Sequence, residues 1–200
     1  MCCIYIVCGG RSCSEDNDRS ETATLAATKD SIRHSFEIEA PGSRQLLAYE
    51  TSAKQKLTDF ADYLKIVSDT TLDIRFRKQA AGMALNMFVS KTCNTGSWNR
   101  LIQSDNIQTL QQLLDKSLEK GMTGWIQPCQ IEITTPLVRE NDSSFKGNLT
   151  FSARLFVFQN PEQTINLPKK VETEIFVLRK IKEIGKERLN IWEVSLGNMN

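Results

Sequence analysis

Two hundred residues is the length of one large domain, or of one domain plus a tail, and a 40% hydrophobic content is enough to build a real core. The charged residues, 24% of the chain, balance to a net charge of +1, so no global field draws in nucleic acid or acidic partners. No stretch approaches the roughly 20 consecutive apolar residues that a bilayer-crossing helix needs.

Four of the six cysteines (Cys2, Cys3, Cys8 and Cys13) crowd the N-terminus, which is not how a disulfide framework spreads through a small domain. The single histidine, His34, leaves no zinc set to complete, so no metal and no cofactor is expected. Ile4 to Val7 form a short apolar run with no Lys or Arg before it, as if part of a signal were missing upstream. Small Ser12, then Cys13, then a polar stretch opening with Glu15, Asp16 and Asp18 follow it. This order resembles the signal of a Gram-negative lipoprotein, although Gly10 and Arg11 depart from its usual pattern.

The resemblance implies lipid attachment at Cys13, with residues 1–13 as a signal remnant and 14–42 as a flexible tether. It also implies anchorage in the cell envelope, at the outer membrane, and the acids after Cys13 resemble a surface-export signal. The alternative is a disordered cytoplasmic N-terminus whose cysteines are incidental.

After Pro41-Gly42-Ser43 the pattern turns helical, with Ser43 as the candidate cap. Leu46, Ala53, Leu57, Phe60, Leu64 and Val67 draw one apolar stripe, and Ser68 and Asp69 close the helix. A second helix is expected behind a Thr70–Asp73 capping pair. Its core face is read as Phe76, Ala80, Met83, Ala84, Met87 and Phe88, and its wet face as Arg75, Arg77 and Lys78. The stretch around Trp98 reads as a loop leading into or out of a short strand. A third helix is expected from Ser104 or Asp105, with Ile107, Leu110, Leu114 and Leu118 inward and Gly121 as its stop.

From Cys129 onward the period is two. Cys129, Ile131 and Ile133 are expected on one face, as are Leu149 to Val157 at alternate positions, then Val171, Thr173, Ile175 and Val177, then Trp192 and Val194. "RENDSS", "NPEQTINLP" and "KEIGKER" read as the turns between four antiparallel strands. Helices first and a strand meander second make residues 43–200 a single α+β domain, with three helices on one face of a curved antiparallel sheet of at least four strands.

That element order, with a closing hairpin that turns on Gly185-Lys186 and returns through Trp192, Val194 and Leu196, resembles the nuclear transport factor 2-like superfamily, the cystatin-like cone. The resemblance implies a cavity and frequent pairing of sheet faces between copies.

Catalytic groups are sparse. Glu132, Glu172, Glu174 and Glu193 alternate with apolar residues and so are expected on the solvent face, and a nucleophile would have only His34 as a base. No glycine-rich phosphate loop precedes a helix, and the basic clusters lack interleaved aromatics, so no nucleic-acid partner is expected. The favoured reading is a non-catalytic envelope module binding a small apolar ligand, a peptide or a protein partner. The residues named for the cavity or interface are Tyr63, Met83, Met87, Phe156, Phe158, Phe176, Leu178 and Trp192. Phe156, Phe158, Phe176 and Leu178 make a second apolar sheet face that a homodimer partner is expected to cover. The alternative is an isomerase or dehydratase resembling the ketosteroid isomerase branch, with an inward carboxylate base near Tyr63. Whether Cys93 and Cys129 pair is left open by the sequence.

Overall fold

The computed structural model describes residues 40–101, 107–122, 124–158, 160–184 and 187–200. Cys13, His34 and the tether up to residue 39 lie outside the described residues, as does the Gly185-Lys186 turn. The architecture is α+β, with helices α1 (Ser43–Ser68), α2 (Ile74–Leu85), α3 (Gly96–Leu101) and α4 (Leu110–Lys120) preceding strands β1 (Gly124–Asn141), β2 (Ser144–Val157), β3 (Asn160–Ile184) and β4 (Glu187–Met199). The strands form one sheet in sequential order, antiparallel at every step.

Helix α1 begins one residue earlier than the Ser43 cap implies. Gly42 is the N-cap, and Gln45 reaches back to accept its backbone N–H at 2.9 Å. The expected stripe is buried as a line of Ala53, Leu57, Phe60, Leu64 and Val67. Helix α2 is capped by Asp73, which accepts from the Arg75 backbone N–H at 2.8 Å, and not by Thr70.

The buried face of α2 is rotated from the expected one: Arg77, Ala80, Ala81 and Ala84 point inward, while Phe76 and Met83 are exposed. The rotation follows from Arg77, whose fork donates to the Val67 carbonyl at 2.8 Å and the Ser117 carbonyl at 2.7 Å. A guanidinium serves both acceptors at once: it donates to the Val67 carbonyl at the end of α1 and is a second donor to the Ser117 carbonyl, which also accepts the Gly121 N–H at 2.9 Å.

The stretch around Trp98 is the short helix α3 and not a loop leading to a strand. Trp98 is fully buried, with its ring 5.1 Å from Phe60 and 5.7 Å from Phe151, while Phe60 also meets Phe88 at 4.9 Å. These rings join α1, the α2–α3 connection, α3 and β2 into one aromatic layer. Helix α4 starts at Leu110 behind a Thr109–Gln112 capping box, later than Ser104 or Asp105 would have it.

Leu149, Phe151 and Ala153 on β2, and Val171, Thr173, Ile175 and Val177 on β3, are all buried, as the alternation predicts. Two irregularities were not expected. Gln130 takes φ +51° at a register shift between Cys129 and Glu132, and this β-bulge flips the parity of β1. Ile133 therefore pairs with inward Leu149, whereas Cys129 pairs with Ser152 on the outer face. The second is "NPEQTINLP", which is strand and not turn: Leu155 pairs with Ile165, and Ala153 with Leu167. Pro168 is accommodated because it falls at the register shift between the Ala153–Leu167 and Phe151–Val171 pairs.

Helix α1 reaches both outermost strands. Its Glu50 accepts the backbone N–H of Leu137 on β1 at 2.9 Å, and its Lys56 lies 3.8 Å from Glu193 on β4. Burial pushes the Lys56 ammonium below its ordinary value, with Lys180 and Lys182 adding to the effect and Glu193 opposing it. The segment after α2 runs along the C-terminal part of β4: Leu196 N–H donates to the Met87 carbonyl at 2.8 Å, Val89 N–H to the Leu196 carbonyl at 2.9 Å, and Met199 N–H to the Asn94 carbonyl at 2.7 Å. Cys93 and Cys129 are both free thiols.

Candidate binding cleft

The ends of α1, α4 and β2 meet at one place in the fold. Asp69 caps the C-terminus of α1, accepting both the backbone N–H (3.0 Å) and the hydroxyl (2.6 Å) of Thr71. Those bonds hold its carboxyl below its ordinary value. Gly121 ends α4 with φ +69°, where a Cβ would sit 2.6 Å from Thr70 Cγ2 and 2.8 Å from the Ser68 carbonyl. Only glycine allows both the left-handed turn and this close approach. The α4 end is therefore pressed onto the α1–α2 connection. Arg77 sits behind the junction and bonds to the last turns of both helices.

Between these ends lies an open cleft of about 810 Å³, with Ser68 to Thr71 on one wall, Lys120 to Met122 on another, and Val157 and Phe158 on the third. Met122 is held by its sulfur, 3.2 Å from the Ser117 hydroxyl. Phe158 belongs to an aromatic group with Trp125, at 5.1 Å, and Trp125 stacks on Phe156 at 5.0 Å with an 8° interplanar angle. The Lys65 ammonium lies 4.2 Å from the centre of the Trp125 ring. The cleft thus has an apolar aromatic side, a rim of hydroxyls, and one carboxylate already engaged with Thr71. Such a surface can hold a flat apolar body and bond to polar groups at its edge.

The residues named from the sequence are dispersed. Phe158 lines the cleft and Phe156 backs it through Trp125. Tyr63 packs half-buried against the core, Met87 is buried within it, and Met83 is exposed on α2. Trp192 lies on the inner face with its ring 5.5 Å from Phe145. Phe176 and Leu178 are half-buried on the outer sheet face. There Phe176 lies over Gly197, where a Cβ would come within 2.6 Å of its ring, and beneath the Lys146 ammonium at 5.3 Å. Part of the cover expected from a partner is therefore supplied by the sheet itself. Trp125 was missed by sequence reasoning, and its signal is the cross-strand pairing with Phe156.

The strand acids lie on the outer face, as alternation predicts, but two of them are not freely solvated. Glu132 pairs with Lys170 at 3.8 Å and stays exposed, whereas Glu193 is ringed by Lys56, Lys180 and Lys182 at 3.6 to 3.9 Å. Glu174 accepts from Lys146 at 2.7 Å and from both the backbone N–H and side-chain amide of Asn198 at 3.1 and 2.8 Å. Burial would raise its carboxyl, but the bonds from Lys146 and Asn198 outweigh it and hold the group below its ordinary 4.5. A general base needs the opposite shift.

Glu174 therefore contributes stability that is fully present above 4.5 and lost as pH falls through its depressed value. Lys146, raised above 10.5 chiefly by its bond to Glu174, contributes stability present below 10.5 and lost as pH climbs through the raised value. Glu174→Gln is expected to melt below the parent at neutral pH, with the gap closing in acid. A gap that stays constant across a pH series of melting curves would refute the ionised Glu174 knot.

Among the described residues no cluster of three or more His, Cys, Asp or Glu is placed to hold a metal ion, and no helix is long and apolar enough to cross a membrane. No protein-family model, no curated protein and no solved structure matches the chain.

Proposed function

We propose that this chain is a non-catalytic binding module that takes a small, flat apolar ligand, or the apolar side chain of a peptide, into the cleft at the ends of α1, α4 and β2. The observation that carries the reading is the cleft of about 810 Å³, whose Met122, Val157 and Phe158 side continues into the Trp125–Phe156 stack. That volume is within the range of small-molecule sites. The hydroxyls of Thr70 and Thr71 would orient the ligand's polar end. A nuclear transport factor 2-like cone is part of the same proposal. It is supported by α1 reaching both outermost strands through Glu50 and Lys56.

The experiment is titration with the dye 1-anilinonaphthalene-8-sulfonate, read by tryptophan-to-dye energy transfer. The folded chain is expected to bind the dye, and Phe158→Ala to weaken binding by at least about fivefold at an unchanged melting temperature. Equal affinity in the two proteins would move the site elsewhere.

The same proposal holds the module at the cell envelope through a lipid on Cys13, on the strength of the order apolar run, small residue, cysteine and acidic tether. Metabolic labelling with a palmitate analogue is expected to mark the native chain and not Cys13→Ala. Label retained by the alanine variant would refute the anchor.

A further inference from the structure

From Ile74 to Ser104 the sequence contains no Asp or Glu, yet it carries Arg75, Arg77, Lys78, Lys91 and Arg100. The fold turns Arg77 inward and leaves Arg75, Lys78 and Lys91 exposed. On the same helix Phe76 is 51% and Met83 44% exposed, seven residues apart and so on one flank of α2. Ile74 and Val89 are also exposed, one at the start of α2 on its other margin and one beyond its end. Gly82, also exposed, has nothing within 4 Å of an added Cβ, so no neighbouring element covers that part of the helix. The adjoining acid, Asp73, caps α2 and pairs with Arg75 at 3.2 Å, while Lys78 and Lys91 make no ion pair among the described residues.

We propose that the exposed side of α2, from the Phe76–Met83 flank across Arg75 to Lys78 on the other margin, is a peripheral contact for an anionic lipid surface. Phe76 and Met83 enter the headgroup layer, and Arg75, Lys78 and Lys91 face its charge. Bulky apolar residues set among bases are what an interfacial helix presents to such a surface. A second copy of the same face would meet its own like charge, which disfavours pairing of two such flanks. A nucleic acid would find one exposed ring, Phe76, where a stacking platform needs several. This contact goes beyond the cleft reading and does not require the acyl group.

The test uses the 200-residue chain carrying Cys13→Ser, so that no acyl chain contributes. It is sedimented with phosphatidylcholine vesicles, either pure or doped with phosphatidylglycerol. Binding is expected only to the doped vesicles, falling with added salt and by about fivefold for each base removed in Arg75→Ala and Lys78→Ala. Phe76→Ser and Met83→Ser are expected to weaken it several-fold at an unchanged melting temperature, since both side chains are exposed. Equal sedimentation with neutral and doped vesicles, no sedimentation with either, or variants that bind like the parent would each overturn the assignment. Tight binding to a short single-stranded DNA by a chain that ignores both vesicles would also overturn it, and would reassign the face to nucleic acid.

Discussion

Arg77→Met is expected to lower the free energy of unfolding by about 2–4 kcal/mol, read as a shift of the urea midpoint at unchanged slope. The guanidinium is 6% exposed and donates to the Val67 and Ser117 carbonyls, one from the last turn of α1 and one from the last turn of α4. Methionine fills much of the volume but donates nothing. The Val67 carbonyl then loses the partner shown for it, while Ser117 keeps the N–H of Gly121 at 2.9 Å. Arg77→Lys should recover only part of the loss, because an ammonium lacks the planar fork that reaches two carbonyls together. Since these two helix ends frame the cleft, dye affinity should fall alongside stability. A midpoint shift worth less than about 0.5 kcal/mol, the usual scale of a bland surface substitution, would show that Arg77 is not a clamp.

Trp98→Ala is expected to cost more, about 3–5 kcal/mol, because its ring lies between Phe60 and Phe151 at zero exposure and their contacts cannot all re-form around a methyl group. Trp98→Phe should cost far less. The Trp98 Nε1 is buried without a hydrogen-bond partner, so phenylalanine removes an unsatisfied donor while keeping a ring in place. Chemical denaturation of the two variants checks this. Equal losses in both would mean that the indole N–H is satisfied in solution and that the ring contacts matter less than the geometry suggests.

The α1 stripe and the alternation of β2 and β3 were legible because burial there follows side-chain polarity at a fixed period. Helix α2 was misread for a physical reason. Of the expected face, Ala80, Ala84, Met87 and Phe88 are buried, but Phe76 and Met83 are not, because the helix is turned so that Arg77 meets two carbonyls, a long-range bond that periodicity does not contain. "NPEQTINLP" looked like a turn because of its two prolines, and both fall where the ladder is out of register, Pro161 between Asn160 and Thr164 and Pro168 between Leu167 and Val171. The cleft was legible only at Phe158. Its walls come from three distant stretches, Ser68–Thr71, Lys120–Met122 and Val157–Phe158, and their meeting depends on Gly121 closing against Thr70.

The two margins of the sheet differ from its middle in what occupies their outward backbone groups. Glu50 takes the Leu137 N–H on one side, and the strip from Met87 to Asn94 takes that of Leu196 and pairs with Met199 on the other. At these positions another polypeptide has no free amide to dock against, so strand addition or fibril templating cannot begin there without first peeling away a piece of the helical layer. Resistance to aggregation should therefore track the integrity of the helices, and a variant that loosens the Met87–Asn94 strip should clump before it unfolds.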